Sequence, residues 1–303
     1  MENYVLSIKN VVKDYNKHRA VDNVSFDVKN GSLFGLLGPN GAGKTSLIRI
    51  ITTITAADSG EIYIDGKKQG LQSTGDIGYL PEERGLYKKM KVGDQLMFLA
   101  RIKGLSKSDA KNKIDYWIQK FDIADWWNKK VEELSKGMQQ KIQFISTVMH
   151  QPKLLILDEP FSGLDPINTN LIKDEIYRMR DEGTSIIFST HRMEQVEEIC
   201  EEIVLMNQGR IILKGNVAQI KEDYKENLYS LKVHGSARNI NETNFTITDR
   251  KDDQLIIKAS SGYNSNDILS SLINDGAIIE AFEEVKPSLN DIFIRTVRAS
   301  HEQ

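Results

Sequence analysis

One stretch limits the choice of folds more than any other: "SLFGLLGPNGAGKTSLIRI", residues 32–50. Leu33 to Leu37 is a short apolar run of the kind that forms a buried parallel strand. Gly38, Pro39, Asn40, Gly41, Ala42, Gly43, Lys44 and Thr45 follow, then Ser46 and the helical spacing of Leu47, Ile48, Ile50 and Ile51. This is the G-x-x-x-x-G-K-[ST] pattern with a strand before it and a helix after it. Its residue types suit phosphate binding. Glycines let backbone N–H groups approach phosphate oxygens with no side chain in the way. The helix N-terminus adds the positive end of a dipole. Lys44 suits the β- and γ-phosphates of a nucleotide, and the Thr45 hydroxyl suits Mg²⁺.

Two further apolar runs end on chemically active groups. In "KLLILDEP", residues 153–160, Leu154 to Leu157 reads as a buried strand with Asp158 and Glu159 at its C-terminal end. Open α/β sheets hold their ligands at such ends. Asp158 suits a Mg²⁺-water contact, and Glu159 suits a general base for an attacking water. "TSIIFSTH" is a third strand and brings His191 to its end. A neutral imidazole there suits contact with a γ-phosphate and support of the water–glutamate geometry.

Length, charge and cysteine usage set the outer limits. The 303 residues suffice for one large domain or two. A formal net charge of −3 argues against a chain devoted to nucleic acid, since neutralising many phosphates calls for a basic domain. Cys200 is the only cysteine, so no internal disulfide exists, and it reads as a small core residue on a helix. The opening "MENYVLSIKNVVKDY" lacks a basic segment followed by an apolar one, so no signal peptide is expected. No apolar run nears the roughly 20 residues that span a bilayer. Work at a membrane would need a partner that holds the chain there.

"LSKGMQQK", residues 134–141, looks at first like a plain helix start. Ser135 is a good N-cap. Met138, Ile142, Ile145 and Met149 repeat at helical spacing, and Pro152 ends the run. Ser135 and Gly137 thus offer a hydroxyl and an open backbone at a helix N-terminus, a ready anion site.

The glycine-rich loop, this capped helix, "LLILDEP", "SGLDP" and "STH" follow one another in that order. The set resembles the ATPase subunit of ABC transporters over about residues 1–220. The resemblance implies an α/β fold, a P-loop NTPase domain over 1–222 with a helical subdomain at about 86–150. It implies ATP and Mg²⁺ as ligands and ATP hydrolysis as the activity. Ser135 and Gly137 would then bind the γ-phosphate of an ATP held by the P-loop of another subunit, in a head-to-tail dimer with a second copy or a paralogous ATPase. Tyr15 stands where the family places an aromatic ring against adenine. Asp165 in "SGLDP" resembles the loop that couples the two sites. "GYLPEER", Gly78 to Arg84, resembles the loop that senses the γ-phosphate and reports to an integral membrane permease subunit. The implied location is the cytoplasmic face of a bacterial cell membrane, with no nucleic-acid partner.

Two positions depart from the family pattern. Glu82 stands where the sensing loop usually has glutamine; a carboxylate still binds Mg²⁺ but donates no hydrogen bond when ionised. Lys136 and Met138 replace a glycine and the glutamine of the usual LSGGQ. The stretch 92–131 shows helical apolar spacing, with Trp126 and Trp127 expected in its core. In the family this subdomain holds a groove for a short helix of the membrane partner.

After about residue 222 the motifs stop. "LYSLKVHG", "NFTITDRKDDQLIIKAS" and "GAIIEAFEEV" read as strands; "SNDILSSLIND" and "SLNDIFIRTV" read as helices. This predicts a small α+β domain over 228–303, with "DYKEN" as linker. "EEVKPSLNDIFIRTV" resembles the accessory domain on ATPases of bacterial drug-type and sodium-type exporters. Export is therefore the expected direction. A soluble ABC ATPase acting on ribosomes or DNA, and a nucleotide-binding regulator without turnover, are the alternatives. Lys44, Asp158, Glu159 and His191 speak against the second. One P-loop and one signature per chain mean that a single chain cannot complete the two-site sandwich.

Overall fold

Fully apolar strands flanked by amphipathic helices set the architecture of the larger part of the chain. The computed structural model describes residues 4–16, 18–83, 85–234, 244–251 and 254–301. Arg84 of the expected sensing loop, Gly235 and the pair Asp252 and Asp253 lie outside them. The chain divides into two compact units, Met1–Asn216 and Val217–Gln303.

The first unit opens with β1 (Tyr4–Tyr15), β2 (His18–Lys29), β3 (Leu33–Leu37), α1 (Lys44–Ile51), β4 (Ser59–Ile64), β5 (Lys67–Lys68) and β6 (Ile77–Leu80). Three helices follow, α2 (Val92–Ile102), α3 (Lys107–Phe121) and α4 (Lys136–Val148). The unit closes with β7 (Leu154–Asp158), α5 (Pro166–Asp181), β8 (Ser185–Thr190), α6 (Met193–Ile199), β9 (Glu202–Asn207) and β10 (Arg210–Asn216).

A six-stranded sheet of order β10-β9-β3-β8-β7-β6 forms the centre. β9, β3, β8, β7 and β6 run parallel, and β10 joins antiparallel at the edge. Every residue of β3, β7 and β8 is buried, as strands covered on both faces require. Register aligns their ends: Leu37 faces Thr190, Ser189 faces Asp158, and Leu157 faces Leu80. The glycine-rich loop, His191, Glu159 and the Pro81–Glu82 turn therefore leave the sheet along one edge. A second sheet, β2-β1-β4-β5, is antiparallel and shares its core with α1 and β3. Phe26 and Phe34 stack across that junction at 5.2 Å.

Helix packing covers the far side. Trp117 and Phe121 on α3 meet Phe144 on α4 at ring distances of 6.2 and 6.1 Å. Glu175 on α5 is buried and paired with Lys120 of α3 at 2.5 Å and with Arg178 at 2.9 Å. The expected core placement of Trp126 and Trp127 is corrected here. Trp126 is half-buried and Trp127 is 39% exposed. Trp117 fills the core instead, while the Trp127 indole lies against Gly93, where a Cβ would come within 2.4 Å of the ring. Cys200 is buried at the end of α6 and free, and burial pushes its thiol pKa far up.

The second unit begins with α7 (Val217–Asp223), which ends on the first residue of the expected linker, 223–227. Ion pairs hold it there: Glu222 meets Lys286, and Lys225 meets Glu284. The unit continues with β11 (Leu228–His234), β12 (Phe245–Lys251), β13 (Gln254–Ala259), α8 (Ser265–Asn274), β14 (Ile278–Val285) and α9 (Leu289–His301). Its antiparallel sheet has the order β12-β13-β11-β14. Leu231, Phe245, Ile257, Ile268 and Leu272 form a separate core.

Gly35 on β3 leaves no room for a side chain. A Cβ there would come 2.7 Å from Val196 Cγ1 and 2.9 Å from Ile203 Cγ2. Gly35→Ala is expected to lower stability by about 1–3 kcal/mol through overpacking. Gly75→Ala, at a position with nothing within 4 Å of the added carbon, should stay within about 0.5 kcal/mol of the parent. Urea unfolding of the two variants against the parent checks this.

Candidate active site

The turn from β3 into α1 is built of conformations that only glycine holds easily. Gly38, Gly41 and Gly43 have φ of 149°, 79° and 102°. A Cβ on Gly43 would come within 2.1 Å of the Ala20 carbonyl oxygen, and one on Gly38 within 2.3 Å of that of Met206. Ala42 N–H donates to Pro39 O at 3.1 Å. The N–H groups of Gly41, Gly43, Lys44 and Thr45 have no acceptor among the described residues. That leaves a ring of donors at a helix N-terminus, the arrangement that binds phosphate.

Lys44 is 8% exposed, and its ammonium donates to Gly38 O at 2.7 Å and Pro39 O at 3.1 Å. Burial lowers its pKa, while Asp158, Glu159 and Glu82 work in the opposite direction. Asp158 is 3% exposed and accepts from Ser189 Oγ at 2.8 Å. Burial raises its pKa; Glu159 and Glu82 add to the rise, and Ser189 and Lys44 oppose it.

Glu159 has a φ of 50°, a left-handed conformation that costs a non-glycine residue of order 1–3 kcal/mol. Three donors hold it there. Oε2 accepts from Thr190 Oγ1 at 2.9 Å, and Oε1 accepts from His191 N–H at 2.8 Å. His191 Nδ1 lies 2.6 Å from the same Oε1.

These groups share one cleft of about 400 Å³. Tyr15, Asn40, Gly41, Ala42, Gly43, Lys44, Thr45, Ser46, Glu82, Asp158 and Glu159 line it. Gly38 and Pro39 contribute the carbonyls that hold Lys44, and His191 reaches the cleft through Glu159. Thr45, Asp158 and Glu82 offer hard oxygen donors, which fit Mg²⁺; that ion keeps one or two carboxylates beside water and substrate oxygens. Ser135, Gly137 and Asp165 do not line the cleft. Ser135 caps α4 by accepting from Met138 N–H at 3.2 Å, and Asp165 caps α5 by accepting from Asn168 N–H at 2.9 Å. A Cβ on Gly137 would lie 3.6 Å from Gly163 O and 3.7 Å from Leu164, just before Asp165.

Comparison with known proteins agrees with this geometry. The model of the ABC transporter family matches residues 21–162. An uncharacterised ABC transporter ATP-binding protein of Bacillus subtilis, YhaQ, is 43% identical over 98% of this chain and 100% of its own length. The chain belongs to the ATP-binding subunits of ABC transporters. Such a subunit is an ATPase, and this one carries a second family match at residues 215–297, to the C-terminal domain of DrrA1-3-like ATP-binding proteins. The linearmycin resistance ATP-binding protein LnrL of B. subtilis is 35% identical over 70% of the chain and 69% of its own length. The structure of CbiO1 from Clostridium perfringens, part of an ABC transporter complex, superposes with a TM-score of 0.65 at 27% identity, covering 73% of this chain and 92% of that one.

Several residues around the ATP-binding site escape a reading of motifs. His18 lines the cleft because it pairs with Tyr15 across the β1–β2 hairpin. Ser189 and Thr190, which stand in "STH" but received no role there, hold the two carboxylates. Gln140 and Gln143 are buried on α4, and there the trace is clearer: polar residues on a buried helix face need partners.

The raised Asp158 pKa makes a prediction about this ATP-binding subunit. A carboxyl whose folded pKa exceeds its unfolded one destabilises the fold once pH rises above the unfolded value near 3.8 toward the folded one. Asp158→Asn keeps the acceptor for Ser189 and removes the charge. The nucleotide-free variant should melt above the parent at pH 7, and the gap should close as the pH falls toward 4. Melting curves across that range check it.

Proposed function

We propose that this subunit hydrolyses ATP in a head-to-tail dimer and thereby drives export through a separate membrane permease. The observation that carries the dimer is the split of the site. Lys44, Thr45, Asp158 and Glu159 line the cleft, while Ser135, Gly137 and Asp165 of the same chain lie outside its lining. A second copy, or a paralogous ATPase, turned head to tail supplies the missing half, and the pairing closes by two-fold symmetry.

In this reading the open Tyr15 ring, 40% exposed, stacks on adenine. The turn from Gly38 to Ser46 wraps the phosphates, and Lys44 reaches the β- and γ-phosphates. Thr45, Asp158 and Glu82 hold Mg²⁺; when bound, it neutralises charge on the β- and γ-phosphate oxygens. Glu159 takes the proton of the attacking water. His191 keeps that carboxylate aimed, since its backbone N–H and Nδ1 both address Oε1. With Nδ1–H donating, a neutral ring leaves Nε2 an acceptor, so the imidazole serves the glutamate before it serves a phosphate. Ser135 and Gly137 of the partner copy meet the γ-phosphate, and Asp165 links the two sites. Catalysis is then positioning and charge stabilisation.

The permease supplies the membrane contact, at the cytoplasmic face. No helix among the described residues is long and apolar enough to cross a bilayer. Export is supported by the match to the DrrA1-3-like C-terminal domain and by the drug-resistance name of LnrL.

Glu159→Gln should cut phosphate release by about 100-fold or more while ATP still binds. The variant should dimerise on MgATP, seen by light scattering, and Lys44→Ala should not. Tagged Glu159→Gln, purified from detergent-solubilised cells with MgATP, should bring an integral membrane protein in stoichiometric amount. Recovery of ribosomes or nucleic acid alone would overturn the transport reading.

A further inference from the structure

Both carboxylate-bearing turns of the cleft are hooked to one helix. Gln140 Nε2 donates to Pro160 O at 2.9 Å, directly after Glu159. Gln143 Nε2 donates to Pro81 O at 3.0 Å, directly before Glu82. The glutamines are 2% and 3% exposed and lie three residues apart, on neighbouring turns of one face of α4. Thr147 continues that face, with Oγ1 3.5 Å from Tyr79 O and 2.8 Å from Gln143 O.

The direction of each amide is set by chemistry. A carbonyl oxygen only accepts, so each glutamine must present its NH₂ group to the proline carbonyl. The bonds are also not interchangeable with packing. A buried carbonyl left without a donor is unfavourable, so the turn would move to find one.

We propose that Gln140 and Gln143 are positioning residues for hydrolysis. Gln140 sets the height of Glu159 above the end of β7, and Gln143 sets the Pro81–Glu82 turn against Thr45 and Asp158, with which Gln143 and Glu82 share a cleft wall. Because α4 begins at Ser135, one rigid helix ties both carboxylates of a chain to the segment that meets the other copy's ATP. This step rests on the reading of Glu159 and Ser135 given above.

Gln140→Met and Gln143→Met keep volume and remove the donor. Each should lower kcat about tenfold to a hundredfold, the scale of misplacing a reacting group by about 1 Å, with KM for ATP and the melting temperature near parental values. Gln143→Glu supplies a sharper readout. A carboxylate cannot donate to Pro81 O, whereas the protonated acid can. At saturating Mg²⁺ and ATP the ratio of its kcat to that of the parent should therefore rise as pH falls with KM for MgATP unchanged, whereas a new charge acting on the bound cation would show in KM instead. Should the methionine variants fail to fold, the glutamate variant carries the test. Unchanged kcat in the methionine variants, a loss that tracks melting temperature, or a flat glutamate ratio would each overturn the assignment. Glu159→Gln run alongside separates the two readings. If it hydrolyses at the parental rate, the role of Glu159 fails first; if it is inactive while the methionine variants are not slowed, only the roles of Gln140 and Gln143 fail.

Discussion

Parallel strands covered on both faces leave almost no room for polar side chains along their length, and this constraint arranges everything else in the first unit. β3, β7 and β8 are buried throughout. Polar groups inside them survive only when paired, as Ser189 is with Asp158. Groups that must meet a substrate are pushed to the strand ends. Register then brings four of those ends level, so residues from distant parts of the chain face one cleft.

The cleft that results stores opposing charges at low exposure. Lys44 and Asp158 are both desolvated, and each shifts toward its neutral form. Glu159 adds backbone strain, held by Thr190 and His191. Such tension suits a site whose ligand carries several negative charges and a cation.

Around the cleft, structure and family membership divide the labour differently. The P-loop, Asp158 and Glu159 line one cleft, while Ser135 and Asp165 serve as caps of α4 and α5. A cap keeps the serine oxygen fixed at the helix N-terminus and leaves its hydroxyl proton free to donate. The second unit has its own sheet and core, and it matches the C-terminal domain of DrrA1-3-like ATP-binding proteins.

Much of this was legible in the chain itself. The glycine-rich turn, the buried strands ending in Asp158 and His191, and the cap at Ser135 are local events, decided by glycine conformations, apolar runs and short-range hydrogen bonds. What local chemistry could not decide is which neighbours a side chain finds. Trp127 and Trp117 carry the same indole, yet Gly93 draws one to the surface and Phe121 and Phe144 enclose the other. Gln140 and Gln143 read as ordinary helix formers until Pro160 and Pro81 lie beside them. Likewise α7 groups with the second unit, where Glu222 pairs with Lys286 just after β14. Sequence determined the elements and the chemistry at their ends, because those depend on bonded neighbours. Tertiary structure decided their partners, because burial and charge pairing depend on groups distant along the chain.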